Sequence, residues 1–408
     1  MPGSGGIDDV ATDAQMLGRR FRRLRRRTLW ILTALVAAAL VAVTTQRAFD
    51  AGGTRADRPE LQRVLDGLVR GSDRIAPGAT AYVLGPNGTW LGSAGVADLR
   101  SGERIDPDAR MRLESVSKIY TAALVVALAQ EGRLRLGDTV ERWLPGLLPY
   151  GHRITVRQLL TMRSGMIDNN DIARQPAFYL AHVEDTKLRA RLASLARSVN
   201  ADPTREVSAT WWIRWAAWEP LLFEPGTDFH YSNIGYEVLG LVAARAAPAS
   251  LPELYRREIF GPLGLHETAY DPQGPIAGPH ARGYLLGGDG PVDATDAHAA
   301  IGAEGGIVSN AEETGAFLAA LMQGRLLDPR RVAGMRGADL WRGGQQTGCA
   351  GAGYGWSGGG NGYKTNVWVD ASGTRVAVLL LNARRGGDEQ AYADERAASA
   401  LGRLYCAA

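Results

Sequence analysis

The chain has 408 residues, 45% of them apolar and 22% charged, which excludes a disordered polar segment and is enough for one large core or two subdomains sharing one. Its formal charge of +3 is local: residues 1–28 carry seven arginines against three aspartates, and the remaining chain nets −1. A near-neutral body behind a basic tail leaves no electrostatic footprint for nucleic acid, so no such partner is expected.

The basic tail, 1–28, runs into "TLWILTALVAAALVAVTT", Thr28 to Thr45, which has no charged residue. Eighteen residues at ~1.5 Å rise cover about 27 Å, enough to cross a thin bilayer. Arginines on the N-terminal side place that side in the cytoplasm. Residues 29–45 are expected to be a retained signal anchor, because the n-region is long and no small-x-small cleavage site follows. A cleaved signal peptide, releasing a secreted protein, is the alternative. Both leave the rest of the chain outside the cytoplasm. The first reading makes it a single-pass protein of the cell membrane with an extracytoplasmic domain.

Residues 46–58 read as a polar linker, and the folded domain is expected over 59–406. It begins with Leu61, Val64, Leu65, Leu68 and Val69 at helical spacing. "ATAYVLGPNGTWLGSAGVAD" predicts a β-hairpin turning at Gly85 to Gly88. From Ile119 to Ala129 the chain is apolar on every face, which predicts a helix buried in the interior. "ITVRQLLTMRSGM", Ile154 to Met166, predicts a short helix ending at Ser164-Gly165. Residues 167–220 are polar and then rich in tryptophan, as suits a lid or an inserted helical subdomain. Of Trp211, Trp212, Trp215 and Trp218, at least half are expected in the core and the others along a hydrophobic cleft. Tyr231 begins a turn into a second apolar helix. "GYKTNVWVDASGTRVAVLLLN" predicts two antiparallel strands joined at Ala371 to Thr374, and a last helix spans about Glu389 to Tyr405. Strands at both ends with helices between them indicate an α+β domain with an antiparallel sheet.

Chemistry concentrates at Ser115-Val116-Ser117-Lys118, at the mouth of the apolar run. Lysine is scarce here: only Lys118, Lys187 and Lys364 occur, against forty-three arginines. At the start of a helix, residues i and i+3 share a face, so Ser115 and Lys118 point into the same space. A serine hydroxyl needs a neighbouring base to become a nucleophile. A buried lysine has a reason to lose its proton, which arginine lacks. The alternative is that Ser115 or Ser117 only caps the helix. At Tyr231-Ser232-Asn233 a phenol could relay a proton and an amide could hold a substrate carbonyl; a capped turn is the plain alternative.

"ESVSKIYTA", "ITVRQLLTMRSGM", "FEPGTDFHYSNIGYEVLG", "GAEGGIVSN" and "GWSGGGNGYKTNVWV", in this order, resemble the penicillin-recognising serine hydrolases: D-alanyl-D-alanine carboxypeptidases, class C β-lactamases and related esterases. The resemblance covers about residues 60–405 and implies a β-lactamase/transpeptidase-like fold. It implies that Ser115 is the acylated nucleophile, that Lys118 is its base or proton relay, that Tyr231 passes the proton to the leaving group, and that Asn233 orients the substrate amide. The family's third motif begins with a basic residue or histidine. Here Trp356-Ser357-Gly358 is the match, with Ser357 for a substrate carboxylate and the N–H of Gly359, beside that of Ser115, for the oxyanion. Tryptophan at 356 is a departure that removes a cation. A second register, Lys364-Thr365-Asn366, would restore one, but Gly362-Tyr363 matches the step after the motif and favours 356–358.

Implied substrates are peptidoglycan-type peptides or β-lactam-like small molecules. The resemblance points to a D-Ala-D-Ala carboxypeptidase; a β-lactamase, an esterase and an attenuated binder of the same fold are the alternatives. Gly355 to Gly359 also satisfies G-x-S-x-G. That match is rejected, because strand rather than helix follows and no histidine lies beyond His298. His266-Glu267 lacks the second histidine of a zinc motif, with Tyr270 in its place, so neither metal nor cofactor is expected. His230 is read as a structural residue at the site's edge. The two cysteines, Cys349 and Cys406, are expected to form one disulfide, two unpaired buried thiols being the alternative.

Overall fold

Strict alternation of side chains explains the centre of the molecule. In the computed structural model, β1 (Gly78–Gly85), β2 (Gly88–Gly95), β8 (Gly353–Gly360), β9 (Tyr363–Asp370) and β10 (Val376–Leu381) form one antiparallel sheet in the order β2-β1-β10-β9-β8. On β10, Val376, Val378 and Leu380 enter one core layer, and Ala377, Leu379 and Leu381 enter the other. A sheet covered on both faces needs such two-sided apolar strands. Tyr82 faces one layer while its neighbours Ala81 and Val83 face the other. Two small three-stranded sheets flank it. One orders β3 (Met111–Arg112), β7 (Ile307–Ser309) and β4 (Ala269–Tyr270) as β3-β7-β4. The other orders β5 (Tyr284–Gly287), β6 (Gly290–Asp293) and β11 (Ala383–Arg385) as β11-β5-β6.

The structure describes residues 57–174, 209–272, 275–288, 290–296, 302–337, 353–360, 362–387 and 389–408, with 186, 187, 189–191, 193 and 194. The basic tail, the proposed anchor at 29–45, most of 175–208 and Cys349 lie outside them. Among the described residues no helix is long and apolar enough to cross a membrane, and no cysteine is free. The pairing of Cys349 with Cys406 thus stays an expectation.

Helix α1 (Pro59–Val69) packs with the C-terminal helix on one face of the sheet, burying Leu61, Val64, Leu65, Leu68 and Val69 as their spacing predicts. On the other face lies α2 (Ser117–Gln130), buried continuously from Ser117 to Leu128. Such a helix can sit only in the interior. The expected helix at 154–166 is shorter: α3 covers Val156–Leu160, started by a capping box between Thr155 and Gln158. It stops before Ser164 because Met162 takes a left-handed φ of 55°, a conformation that ends a right-handed helix.

Of the tryptophan-rich stretch, α4 (Ala209–Ala216) buries Trp212 and Trp215 in the core, while Trp218 is exposed. Helix α5 (Asn233–Ala246) lies beside α2. Helix α6 (Ala311–Met322) backs the sheet, and α7 (Glu389–Cys406) closes the chain. The architecture is the expected α+β, with the sheet built from both ends of the chain.

Candidate active site

Three elements far apart in sequence converge where α2 begins. A 3-10 turn, Glu114–Val116, leads into the helix. Glu114 precedes Ser115 with φ 52°, a left-handed conformation costing a non-glycine residue about 1–2 kcal/mol. That kink sets Ser115 at the helix mouth, and Lys118 follows one turn later. Lys118 Nζ donates to Ser115 Oγ at 3.0 Å. The Ser115 hydroxyl also meets Tyr231 Oη at 2.7 Å, and Lys118 Nζ lies 5.1 Å from the Tyr231 ring centre. The structure brings Ser115, Lys118 and Tyr231 into one hydrogen-bonded chain.

Tyr231 is placed by the start of α5. Ser232 caps that helix, its Oγ accepting from Gly235 N at 3.1 Å and donating to Ile167 O at 2.9 Å. The capped turn and the site are thus the same feature. Asn233 is buried, and its Nδ2 donates to Asn169 Oδ1 at 2.9 Å. Asp168 accepts from the backbone N–H of Asn233 at 2.6 Å. The atom of Asn233 left without a partner is Oδ1. Donation to a substrate carbonyl would therefore compete with Asn169, and the unpartnered Oδ1 is itself buried. His230 Nε2 meets Asp171 Oδ2 at 2.6 Å, at the site's edge.

The second wall is β8, the edge strand of the sheet. A Cβ on Gly358 would stand 2.8 Å from Ser115 N, so glycine lets the strand approach the nucleophile's backbone. As the edge strand, β8 turns alternate N–H groups away from β9, the side on which oxyanion donors are needed. Ser357 is exposed. Trp356 Nε1 donates to the backbone oxygen of Ser115 at 2.8 Å, which spends its one polar hydrogen on protein. Gly359 and Lys364 are paired residues on β8 and β9, yet the ammonium of Lys364 goes to Asp394 at 2.8 Å, a carboxylate shared with Arg384. Ser357 sits inside a strand, as the rejection of a nucleophile elbow requires.

At Lys118 burial supplies the expected reason to lose a proton, but a neighbour opposes it. The Glu304 carboxylate, aided by Tyr231, outweighs burial and holds Lys118 above the ordinary lysine value. Glu304 Oε2 accepts from Lys118 Nζ at 2.6 Å, and the Glu304 carbonyl accepts at 2.9 Å. Glu304 belongs to "GAEGG". Glu237 on α5 shapes that turn by accepting from Gly302 N at 2.8 Å and Ala303 N at 3.2 Å. Thr121 binds the carbonyl of Ala303 from the other side. Burial, with Glu304 adding to it, pushes Glu237 up to about 8. The same causes, opposed by Arg112, Lys118 and Arg384, push Glu114 up to about 8. Burial also raises Tyr231, against the pull of Lys118, which keeps it a phenol at neutral pH. Sequence reasoning missed Glu304, Glu237 and Asp168. The one signal for them was an acidic residue inside a glycine-rich turn.

The arrangement suits acyl transfer: a hydroxyl flanked by a cation and a phenol, beside an edge strand that is glycine where it meets the Ser115 backbone. A family model described as "Beta-lactamase" matches residues 43–402. Among curated relatives, Protein flp of Staphylococcus aureus (strain N315) is 27% identical over 221 residues, 53% of this chain and 39% of that protein. Penicillin-binding protein 4* of Bacillus subtilis (strain 168) is 28% identical over 176 residues, 43% of this chain and 34% of that protein. The chain therefore spans well under half the length of either relative. Among solved structures, a D-stereospecific amidohydrolase from Streptomyces sp. superposes with a TM-score of 0.68 at 24% identity, covering 86% of this chain and 100% of that one. A penicillin binding protein from Bacillus halodurans gives 0.66 at 20%, covering 85% and 100%. These two likenesses establish the β-lactamase/transpeptidase-like fold.

Proposed function

We propose, from the premise that this chain belongs to the beta-lactamase family of serine hydrolases, that it is an extracytoplasmic D-alanyl-D-alanine carboxypeptidase held to the membrane by residues 29–45. The observation that carries the reading is Ser115 Oγ poised between Lys118 Nζ at 3.0 Å and Tyr231 Oη at 2.7 Å. Ser115 attacks the penultimate carbonyl of a D-Ala-D-Ala peptide, with the oxyanion held by the N–H groups of Ser115 and Gly359. Collapse expels D-alanine and leaves an acyl-enzyme that water hydrolyses. Support for a D-configured amide comes from the likeness to a D-stereospecific amidohydrolase and to penicillin-binding proteins. To test the nucleophile, the full chain in detergent is incubated with a fluorescent penicillin and the adduct mapped by digestion. Label on Ser115 is the expected result. No label, under conditions that mark a known carboxypeptidase, ends this reading.

Trp356 favours a second reading on the same fold. It offers no charge to a substrate carboxylate, and its N–H is spent on Ser115 O, so an ester or a β-lactam is the competing substrate. Rates with a nitrophenyl ester, nitrocefin and a D-Ala-D-Ala peptide separate the two, and a marked preference for the peptide counts against the second. A binder with attenuated turnover is a third reading. A gain of about a hundredfold or more on Trp356→His would favour it, since a general acid–base group is worth roughly that factor. For the anchor, resistance of the membrane-bound protein to alkaline carbonate is the expected result.

A further inference from the structure

The Lys118–Glu304 pair is largely buried: the lysine side chain is 0% exposed and the glutamate 16%. Lys118 spends its three donors on Ser115 Oγ, the Glu304 carboxylate and the Glu304 carbonyl. A carboxylate at 2.6 Å with little water between strongly favours the ammonium form. The other groups facing Lys118 do not displace it. Glu114 comes from the 3-10 turn, Asp168 from the loop after α3, and Tyr231 and Tyr236 from the start of α5, with Glu237 behind Glu304. Arg112 and Arg384 act on Glu114. The turn that carries Glu304 is itself fixed by Glu237 and Thr121, so the carboxylate is positioned before any substrate arrives.

We infer that Glu304 is a positioning residue that keeps Lys118 an ammonium ion throughout acylation, so that the Ser115 proton leaves through Tyr231 and not through Lys118. The inference rests on the reading of Ser115 as the acylated nucleophile. In the step, the Ser115 O–H bond breaks and its oxygen bonds the substrate carbonyl carbon, whose π pair becomes the oxyanion. Tyr231 accepts the serine proton and gives its own phenolic proton to the leaving nitrogen. The oxyanion pair then re-forms the carbonyl as the C–N bond breaks. Lys118 begins and ends as a cation that donates to Ser115 Oγ and offsets the developing negative charge.

With three lysines in the chain, the protonation of Lys118 can be read directly. Full-length protein in detergent, labelled with lysine carrying 13C at the ε carbon, is titrated by NMR, and the signals are assigned with Lys187→Arg and Lys364→Arg. In the wild type Lys118 is expected to keep its charged shift beyond the pH at which free lysine with the same label, measured in the same buffer, has lost its own. In Glu304→Gln burial loses its main opponent, and Lys118 should titrate below the free-lysine reference. Acylation of the Gln variant by a fluorescent penicillin should then gain a rising pH limb that tracks this titration and is absent from the wild type. A wild-type Lys118 that titrates below the free-lysine reference overturns the inference, as does a Gln variant in which the Lys118 titration does not move. If the Gln variant loses its cooperative unfolding, Glu304→Asp decides: a downward move of the Lys118 titration supports the inference and no move overturns it. If Lys118 behaves as stated but Ser115 is never labelled, the hydrolase reading fails while the role of Glu304 in holding the charge stands.

Discussion

On the helix side of the cleft, position comes from bonds made by polar side chains: Ser115 to Tyr231, Lys118 to Glu304, and Glu237 to the backbone N–H groups of the turn that bears Glu304. On the strand side there is almost none of this. Five of the eight residues of β8 are glycine, and Trp356 makes the bond that ties the strand to Ser115 O. The helix wall is specified by chemistry, and one altered group changes a charge or a proton path. The strand wall is specified by the absence of bulk, and one added methyl changes a distance. The same contrast separates the two buried lysines. Lys118 is held above the ordinary lysine value by Glu304, whereas burial takes Lys364 below it even though Asp394 opposes the change.

The contrast can be broken from either side. Ser115→Ala removes the nucleophile and should lower fluorescent-penicillin acylation by about a thousandfold or more, measured as a single-turnover rate. Gly358→Ala tests whether the strand wall works by clearance. Its Cβ meets Ser115 N at 2.8 Å, backbone that cannot step aside, so acylation should fall roughly a hundredfold, as misplacement by about 1 Å does. An unchanged rate would make β8 a passive support. Trp356→Phe keeps an aromatic ring and deletes the N–H that donates to Ser115 O. Because Ser115 O also accepts from the Ser117 N–H, a loss of about 0.5–1.5 kcal/mol in unfolding free energy is expected by denaturant titration, the net worth of one hydrogen bond.

The smallest effect concerns Glu114, whose Oε1 has no partner. An unfolded glutamate titrates near 4.5, and burial raises the native group to about 8. Between these values the folded state binds more protons than the unfolded state, so stability falls as pH rises from 4.5 to 8. Glu114→Gln removes this penalty. Its melting temperature should exceed that of the wild type by roughly 2–5 °C at pH 9 and match it near pH 4.

Much of the helix wall was legible. Serine and lysine three residues apart at the head of an all-apolar run share a face whatever the remainder of the chain does. Tyr231, before a second apolar helix, had the right chemistry, and the hairpins at 85–88 and 371–374 stand where turn residues put them. The helix expected to reach Ser164 stops at Leu160, because Met162 adopts a left-handed conformation that no propensity announces. Asn233 was read as a donor to substrate, yet Asn169 and Asp168, more than sixty residues earlier, claim its N–H groups.

Local spacing by itself determined which residues could meet: the i, i+3 geometry of Ser115 and Lys118, the burial of α2, and the two-faced alternation of β10 follow from backbone periods of 3.6 and 2. The charge of Lys118 was decided elsewhere. Desolvation and a carboxylate push a lysine in opposite directions, and which one wins depends on the distance to a glutamate 186 residues away. That distance exists only after α5, through Glu237, has folded the 302–304 turn against α2. Sequence names the groups that carry charge, and tertiary packing sets the distances at which they act.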